Sequence, residues 1–548
     1  MARGAFWLAL GSVFFTLEAS ASPLPPPLTV YGNQQLDAYE VENRLGIQIL
    51  DAPVAGKQPV NWYGRSSELS VSSHSLRLLS VQGIRDLVGG TVKQDNTQAL
   101  FALGEAQLVS IQRSPSATGE RIVINLDKPA FYQVITLGSN LQITVQAKSE
   151  LPANVLPLGL ISQNTPAGIR VEIGASSPGF YTVSTLGSPS RIVVDRWTTG
   201  RSDRLQAWAA DLVYHESQRF WEEKPRRIAW VTFAPKTHRL GLLVNDPLRS
   251  LQPVSAMANL QNALVAVNGG FFNRNTAESL GVLRMNGQWL GSPVPGLKPR
   301  GVLAWSDKGD WVLDRLTWQG SLQLGEQSFS LVALNDSAYG NGFGLFTSKT
   351  YTPVGGEFVG TVRKGQLVSI REGSVGLGIL IPEDGYLLVA KQSAIPILKT
   401  VAIGASVDFK VTVLPEKIAN FPNFIGAGPL LLQDGKLVLD PNLEQFRSDV
   451  RAEGVARTAI ARRGDQGFLV VVSTEGNASG MSLESFSRFL QTELQVTDAL
   501  NLDGGGSSAL YLGGHLRDRN SGRFERPIAN GLGLWPTPEN PRVNSILP

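Results

Sequence analysis

Apolar and polar residues alternate with period two through much of this chain, and the alternating block is itself repeated. Residues 121–139 read RIVINLDKPAFYQVITLGS and residues 170–188 read RVEIGASSPGFYTVSTLGS, the same frame at an offset of 49 residues. Period-two alternation broken by Pro or Gly is the signature of strand–turn–strand units. The stretches 142–146 and 191–195 extend each unit, predicting two successive β modules over 61–150 and 151–200. Over 201–225 the spacing of Leu205, Trp208, Leu212 and Val213 predicts a helical connector stopped by Pro225. From 226 to 540 short strands and glycine turns dominate. Within that span a strand at 467–474, an amphipathic helix at 482–494 and a strand at 498–502 form a βαβ-like unit. In the helix Leu483, Phe486, Phe489, Leu490 and Leu494 share one face, and Ser482 is its N-cap. The predicted class is α+β, a C-terminal mixed-sheet domain preceded by small all-β modules.

The two ends and the composition add a compartment. Arg3, a short apolar run and the triplet ASA at 19–21 describe a secretory signal peptide over 1–21. A Pro-rich linker is expected over 22–60, and no later run is long and apolar enough to span a membrane. A chain of 548 residues with no cysteine and a leader suits a bacterial periplasm or envelope, which makes a secreted or periplasmic location the expectation. Without cysteine there is no thiolate metal site, iron–sulfur cluster or Cys nucleophile. The four histidines, His74, His215, His238 and His515, show no metal-binding spacing. A net charge of +3 does not point to nucleic acid.

Candidate chemistry lies in the C-terminal half. The stretch NLDGGGSSAL, 501–510, sets three glycines behind Asp503 and two hydroxyls after them. It lacks the Lys-Ser/Thr ending of a P-loop, and a short strand rather than a helix follows, which disfavours a dinucleotide site. Nor is it the G-x-S-x-G elbow of an α/β-hydrolase. What remains is a run of backbone N–H groups beside one carboxylate, an arrangement suited to an anionic oxygen such as phosphate. Asp-Gly is also a common turn pair.

Five separated stretches, VNGGFF, GAGPLLLQDGK, ARTAIA, NLDGGGSSAL and RPIANGLGL, resemble in their order the phosphodiester glycosidase family over 226–536. The repeated N-terminal units resemble the AMIN-type modules of bacterial envelope proteins. The resemblance implies an exported hydrolase that removes a sugar whose anomeric oxygen is esterified to a phosphodiester. It implies Asp503 as nucleophile or base, with Arg457 and the N–H groups of Gly504, Gly505 and Gly506 on phosphate. Ser507, Ser508, Thr458 and Gly428 would complete that cradle. Asn268, Gly269 and Gly270 with Phe271 would contact the sugar, Arg526 and Asn530 would add anion and sugar contacts, and Glu278 would be a second carboxylate. No cofactor is implied, and a divalent cation is left open. The implied partners are a glycosyl-phosphodiester or glycan, with peptidoglycan or envelope polysaccharide reached through the N-terminal modules. A non-catalytic polysaccharide-binding protein is the alternative.

Overall fold

The structure, a computed structural model, describes residues 26–537 except 74, 152–155, 175–177, 246–249, 292–297, 338, 348–349 and 520–523. The expected leader and His74 lie outside the described residues. Among the described residues no helix is long and apolar enough to cross a membrane.

The linker expected over 22–60 is folded from Leu28 onward. Strand Leu28–Tyr31 joins an eight-stranded sheet that runs through to Gln98–Ala102, with helices Ala38–Leu45 and Val81–Val88 packed on it. The first helix carries local signals. Asp37 accepts from the Tyr39 amide, Val41 and Leu45 are buried, and Gly46 closes the helix with φ 69°.

The two repeats do not form successive modules. Strands Gly119–Leu126, Tyr132–Leu137 and Asn140–Val145 of the first correspond to Gly168–Ile173, Phe180–Leu186 and Ser190–Trp197 of the second. Gly119–Leu126 pairs with Ser190–Trp197, and Gly168–Ile173 pairs with Asn140–Val145. Each repeat therefore gives its first strand to the sheet completed by the other, which yields one interlocked sandwich of a five-stranded and a four-stranded sheet. Burial explains the exchange. Alternation leaves each repeat with one apolar face, and the exchange lets the two faces meet in one core, with Phe131 buried in it. The core of this sandwich is continuous with that of the first unit.

The helical connector predicted over 201–225 is instead a hairpin, Arg201–Ala209 and Leu212–Trp221, leading into Lys224–Phe233. Its apolar spacing fits a helix, but Leu212 and Tyr214 face the sheet core in strand alternation, and tertiary pairing overrides the weaker helical preference.

Those strands begin the antiparallel eight-stranded sheet of the C-terminal region. It continues through Gln466–Ser473, Arg457–Arg463, Asp498–Asn501 and Leu430–Gln433. Strand Arg457–Arg463 lies between the two strands of the predicted βαβ unit, pairing antiparallel with both. Helix Leu483–Thr492 spans that crossover and buries Phe486, Phe489 and Leu490 against the outer face. Each such side chain contributes roughly 1.5–3 kcal/mol of transfer free energy. Across the inner face packs a five-stranded sheet of His238–Val244, Asn530–Pro536, Val265–Asn268, Leu510–Leu512 and His515–Leu516. Residues 283–426 supply an eleven-stranded sheet, mixed because Gln327–Leu334 runs parallel to Gly342–Phe346.

Candidate active site

The glycine loop lies where the two facing sheets of the C-terminal region end together. Asp503 follows strand Asp498–Asn501 of one sheet, and Asn268 ends strand Val265–Asn268 of the other. Asn268 joins them: its Nδ2 donates to the Asp503 carbonyl at 2.7 Å. Its Oδ1 accepts from the Thr458 hydroxyl at 2.7 Å and the Ala509 amide at 3.2 Å. Fully buried Asn268 and Thr458 therefore pin the loop rather than touch a sugar, which corrects the role the resemblance implied. Asn530 is corrected in the same way. Buried at 2% exposure, it accepts from the Gly270 amide at 2.8 Å and donates to the Ser279 hydroxyl at 2.9 Å.

Gly269 and Gly270 are bare for packing. A Cβ at Gly269 would stand 2.1 Å from Asn530 Oδ1, and one at Gly270 would stand 2.2 Å from the Gly426 carbonyl. Gly428 has φ 117° and faces Glu444 and Phe446, so it too shapes the wall.

The loop's amides are mostly committed. Gly504 N–H donates to Asp503 Oδ1 at 2.9 Å, and Gly505 N–H donates to the Ala456 carbonyl at 2.8 Å. Ser507 and Ser508 N–H close a tight turn on the Gly504 and Gly505 carbonyls. Among the described residues, Gly506 N–H is the one amide of 504–508 with no acceptor, so the open three-amide cradle expected from the sequence is not present. Gly505 sits at φ +60°, which only a residue without Cβ adopts readily.

The two arginines exchange their expected importance. Arg457 is 2% exposed, and its Nε, Nη1 and Nη2 donate to the carbonyls of Met481, Val450 and Ala452 at 2.8, 2.7 and 2.6 Å. Three of its five N–H groups are committed to main-chain carbonyls and the side chain is buried, so it braces the chain beneath Gly504. Arg526 does reach the site. A Cβ at Gly506 would stand 2.4 Å from its Nη2 and 2.5 Å from its Cζ, so the guanidinium packs against the glycine.

Asp503 is half-buried. Burial pushes its carboxyl above the ordinary value of 3.8, opposed by the Ser507 hydroxyl, the Gly504 amide and the charges of Arg526 and Arg274. Ser507 is thus a partner of the carboxylate. Among the described residues the buried Ser508 hydroxyl has no hydrogen-bond partner, while its carbonyl accepts from Arg519. Glu278 is 6% exposed, and its Oε2 accepts from the hydroxyls of Ser337 at 2.7 Å and Thr276 at 3.1 Å. It shapes the 271–281 loop, which Asn530 ties to Gly270 through Ser279.

Phe271 stands half-buried with its ring 5.3 Å from Phe446, whose face carries the Arg300 guanidinium at 4.3 Å. Phe272 packs into the core. Arg274, Arg300 and Phe446 escape sequence reasoning. Only the position of Arg274, two residues past the VNGGFF aromatics, could have drawn attention. Lone His515 is structural, bonding Asp37 and stacking on Tyr39 at 4.1 Å. Among the described residues no group of three or more His, Asp or Glu side chains is placed to hold a metal ion.

The loop therefore brings together a half-buried carboxylate, Asp503, and the Arg526 guanidinium, with Phe271 and Phe446 in contact nearby. Residues 354–535 match the sequence model of the phosphodiester glycosidase family, so this stretch is a phosphodiester glycosidase domain and the chemistry it supports is hydrolysis of phosphodiester-linked sugars. Asp503 and Arg526 fall inside the matched residues, whereas Asn268, Phe271 and Arg300 fall before them. No curated protein matches the chain. A solved hypothetical protein from Synechocystis is 27% identical, with 94% of this chain and 100% of that chain covered at a TM-score of 0.79. The catalytic domain of zebrafish N-acetylglucosamine-1-phosphodiester α-N-acetylglucosaminidase, auto-inhibited by its pro-peptide, is 15% identical. That likeness covers 66% of this chain and 90% of that chain at a TM-score of 0.31, too low to carry an argument.

Proposed function

We propose that this protein is an exported glycosidase that hydrolyses the bond between a sugar's anomeric carbon and a phosphodiester oxygen, in envelope or exported polysaccharide. The observation that carries the reading is the pairing at the loop: the Asp503 carboxylate stands beside an anion site made of Gly506 N–H and Arg526. A phosphodiester oxygen is a weakly basic leaving group, so charge stabilisation matters more than protonation by an acid. Arg526 and the Gly506 amide hold the phosphate while the C–O bond breaks and its electron pair passes to the phosphate oxygen. Asp503 either takes the proton of an attacking water or bonds the anomeric carbon itself, to be displaced by water afterwards. Phe271 offers the sugar a face, Arg274 adds positive charge toward Asp503, and Arg300 adds it over Phe446. Export rests on the leader read at 1–21, and wall contact rests on the resemblance of the N-terminal modules.

The test is release of free sugar from a panel of synthetic sugar 1-phosphodiesters by wild type and Asp503→Asn. Turnover that disappears in a variant with an intact circular-dichroism spectrum is the expected result. Equal turnover by both proteins sinks Asp503's role. Binding without turnover on every member makes the protein a glycan-binding one. The anomer first released, read by NMR, distinguishes the two roles of Asp503.

A further inference from the structure

A well-formed recess lies away from the glycine loop, where all three units of the chain meet. It encloses about 270 Å³, room for roughly nine waters at about 30 Å³ each, or for a single sugar with one substituent. Helix Ala38–Leu45 supplies Tyr39, Glu42 and Asn43, the interlocked sandwich supplies Tyr132, Val134 and Val183, and the C-terminal region supplies four arginines.

Two of those arginines are neutralised in place. Arg204 donates to Glu42 at 3.0 Å and Arg227 donates to Glu216 at 2.8 Å, pairs that fix the recess walls. A third, Arg519, is held by adjacent Asp518. Arg517 differs. Its Nε donates to the Leu512 carbonyl at 3.2 Å, and among the described residues it has no carboxylate in ion-pair contact. Its guanidinium is set over three rings, 5.2 Å from Tyr39, 5.7 Å from Tyr214 and 5.9 Å from Trp208, which fixes its direction without neutralising it. A positioned, uncompensated cation among aromatic faces and amide side chains (Asn43, Gln48, Gln206) is the donor set for an anionic sugar. A second recess of about 110 Å³ shares Val134, Val183 and Arg227 with the first, so the two form one groove along the sandwich edge.

We propose that this junction groove is a second glycan site, which takes a sugar bearing a phosphate or carboxylate group with Arg517 as its anion contact. The site is read from binding and does not require the glycine loop to be catalytic. Glucose 6-phosphate and glucuronate represent the two anionic sources, and glucose is the neutral control. Each is titrated calorimetrically into the full mature chain, into Asp503→Asn, into Arg517→Gln and into Val183→Glu. Val183→Glu sets a carboxylate in the groove without removing any polar contact, and it decides the matter if Arg517→Gln does not fold.

The expected result is saturable binding of one or both anionic sugars and none of glucose. That binding should be unchanged in Asp503→Asn and at least tenfold weaker in Arg517→Gln and Val183→Glu. Preference for the phosphate or the uronate then names the source. Absence of saturable binding by either anionic sugar overturns the proposal. So does binding that Asp503→Asn abolishes while both groove variants retain it. Turnover in the sugar 1-phosphodiester assay is independent of all these outcomes, so either reading can fail alone.

Discussion

On one side of the glycine loop, Arg457 has its guanidinium nitrogens on three main-chain carbonyls; Arg526 lies against bare Gly506 and, among the described residues, has no hydrogen-bonded carbonyl or carboxylate partner. The two side chains are chemically identical and both stand within a few ångströms of the loop. Burial lowers the Arg457 pKa to about 10, while Arg526 acts on Asp503 through its charge. One arginine holds the loop's shape, and the other sets a positive charge beside Asp503. Proximity to a motif therefore does not assign function; an unsatisfied donor does.

The comparison can be broken most sharply at the carboxylate. Asp503→Asn is expected to lower kcat by about 10³-fold, in the range of a lost general base, measured as sugar release. The sign for stability is opposite. Because the folded carboxyl is raised, its charged form weakens the fold above the ordinary carboxylate pKa, and that cost is relieved as pH falls through the raised value. Asp503→Asn should therefore melt no lower than wild type at neutral pH, and a clear drop in Tm would show that the carboxylate holds the loop instead.

Next in size, Arg457→Met leaves three buried carbonyls unpaired and should cost about 3 kcal/mol in urea unfolding. Turnover per folded molecule should change little. A variant of normal stability and lost phosphate affinity would return Arg457 to the substrate. Arg526→Met should do the reverse, lowering kcat/KM by about 10²-fold, the scale of one preorganised donor, with Tm unchanged.

The same variant predicts a pH effect. Arg526 and Arg274 both lower the Asp503 pKa against burial, and activity needs the carboxylate. Activity should then be lost as pH falls through a value above 3.8, and removing either arginine should move that acid limb upward. A limb that moves down would place these charges away from Asp503. The smallest effect is expected from Gly506→Ala, whose Cβ displaces the flexible end of Arg526. It should cost about tenfold in kcat/KM, roughly 1.4 kcal/mol, and leave urea unfolding unaltered.

Much of the scaffold is legible along the chain. The repeat alternates visibly, and Leu483, Phe486 and Phe489 with Ser482 mark a helix whose observed bounds are Leu483–Thr492. The helix Ala38–Leu45 had the same kind of signal in Asp37, Val41 and Gly46, hidden beneath the Pro-rich stretch before it. The hairpin at 201–221 was not legible, because its apolar spacing satisfies a helix until neighbouring strands are present to pair with it.

The sequence by itself determined part of the local structure: the strand alternation of the repeat, the Ser482 cap of helix Leu483–Thr492, and that Asp503 is followed by a backbone stripped of side chains. Tertiary structure decided the rest. Alternation says that a strand has an apolar face but not which strand will cover it, so the exchange of strands between the repeats required both sheets. A glycine says that something comes close but not what. At Gly269 it is the Asn530 side chain, at Gly505 the turn conformation, and at Gly506 the Arg526 guanidinium. Whether a donor is free depends on acceptors distant in sequence, such as the Ala456 carbonyl on Gly505, and no pattern within the loop contains them.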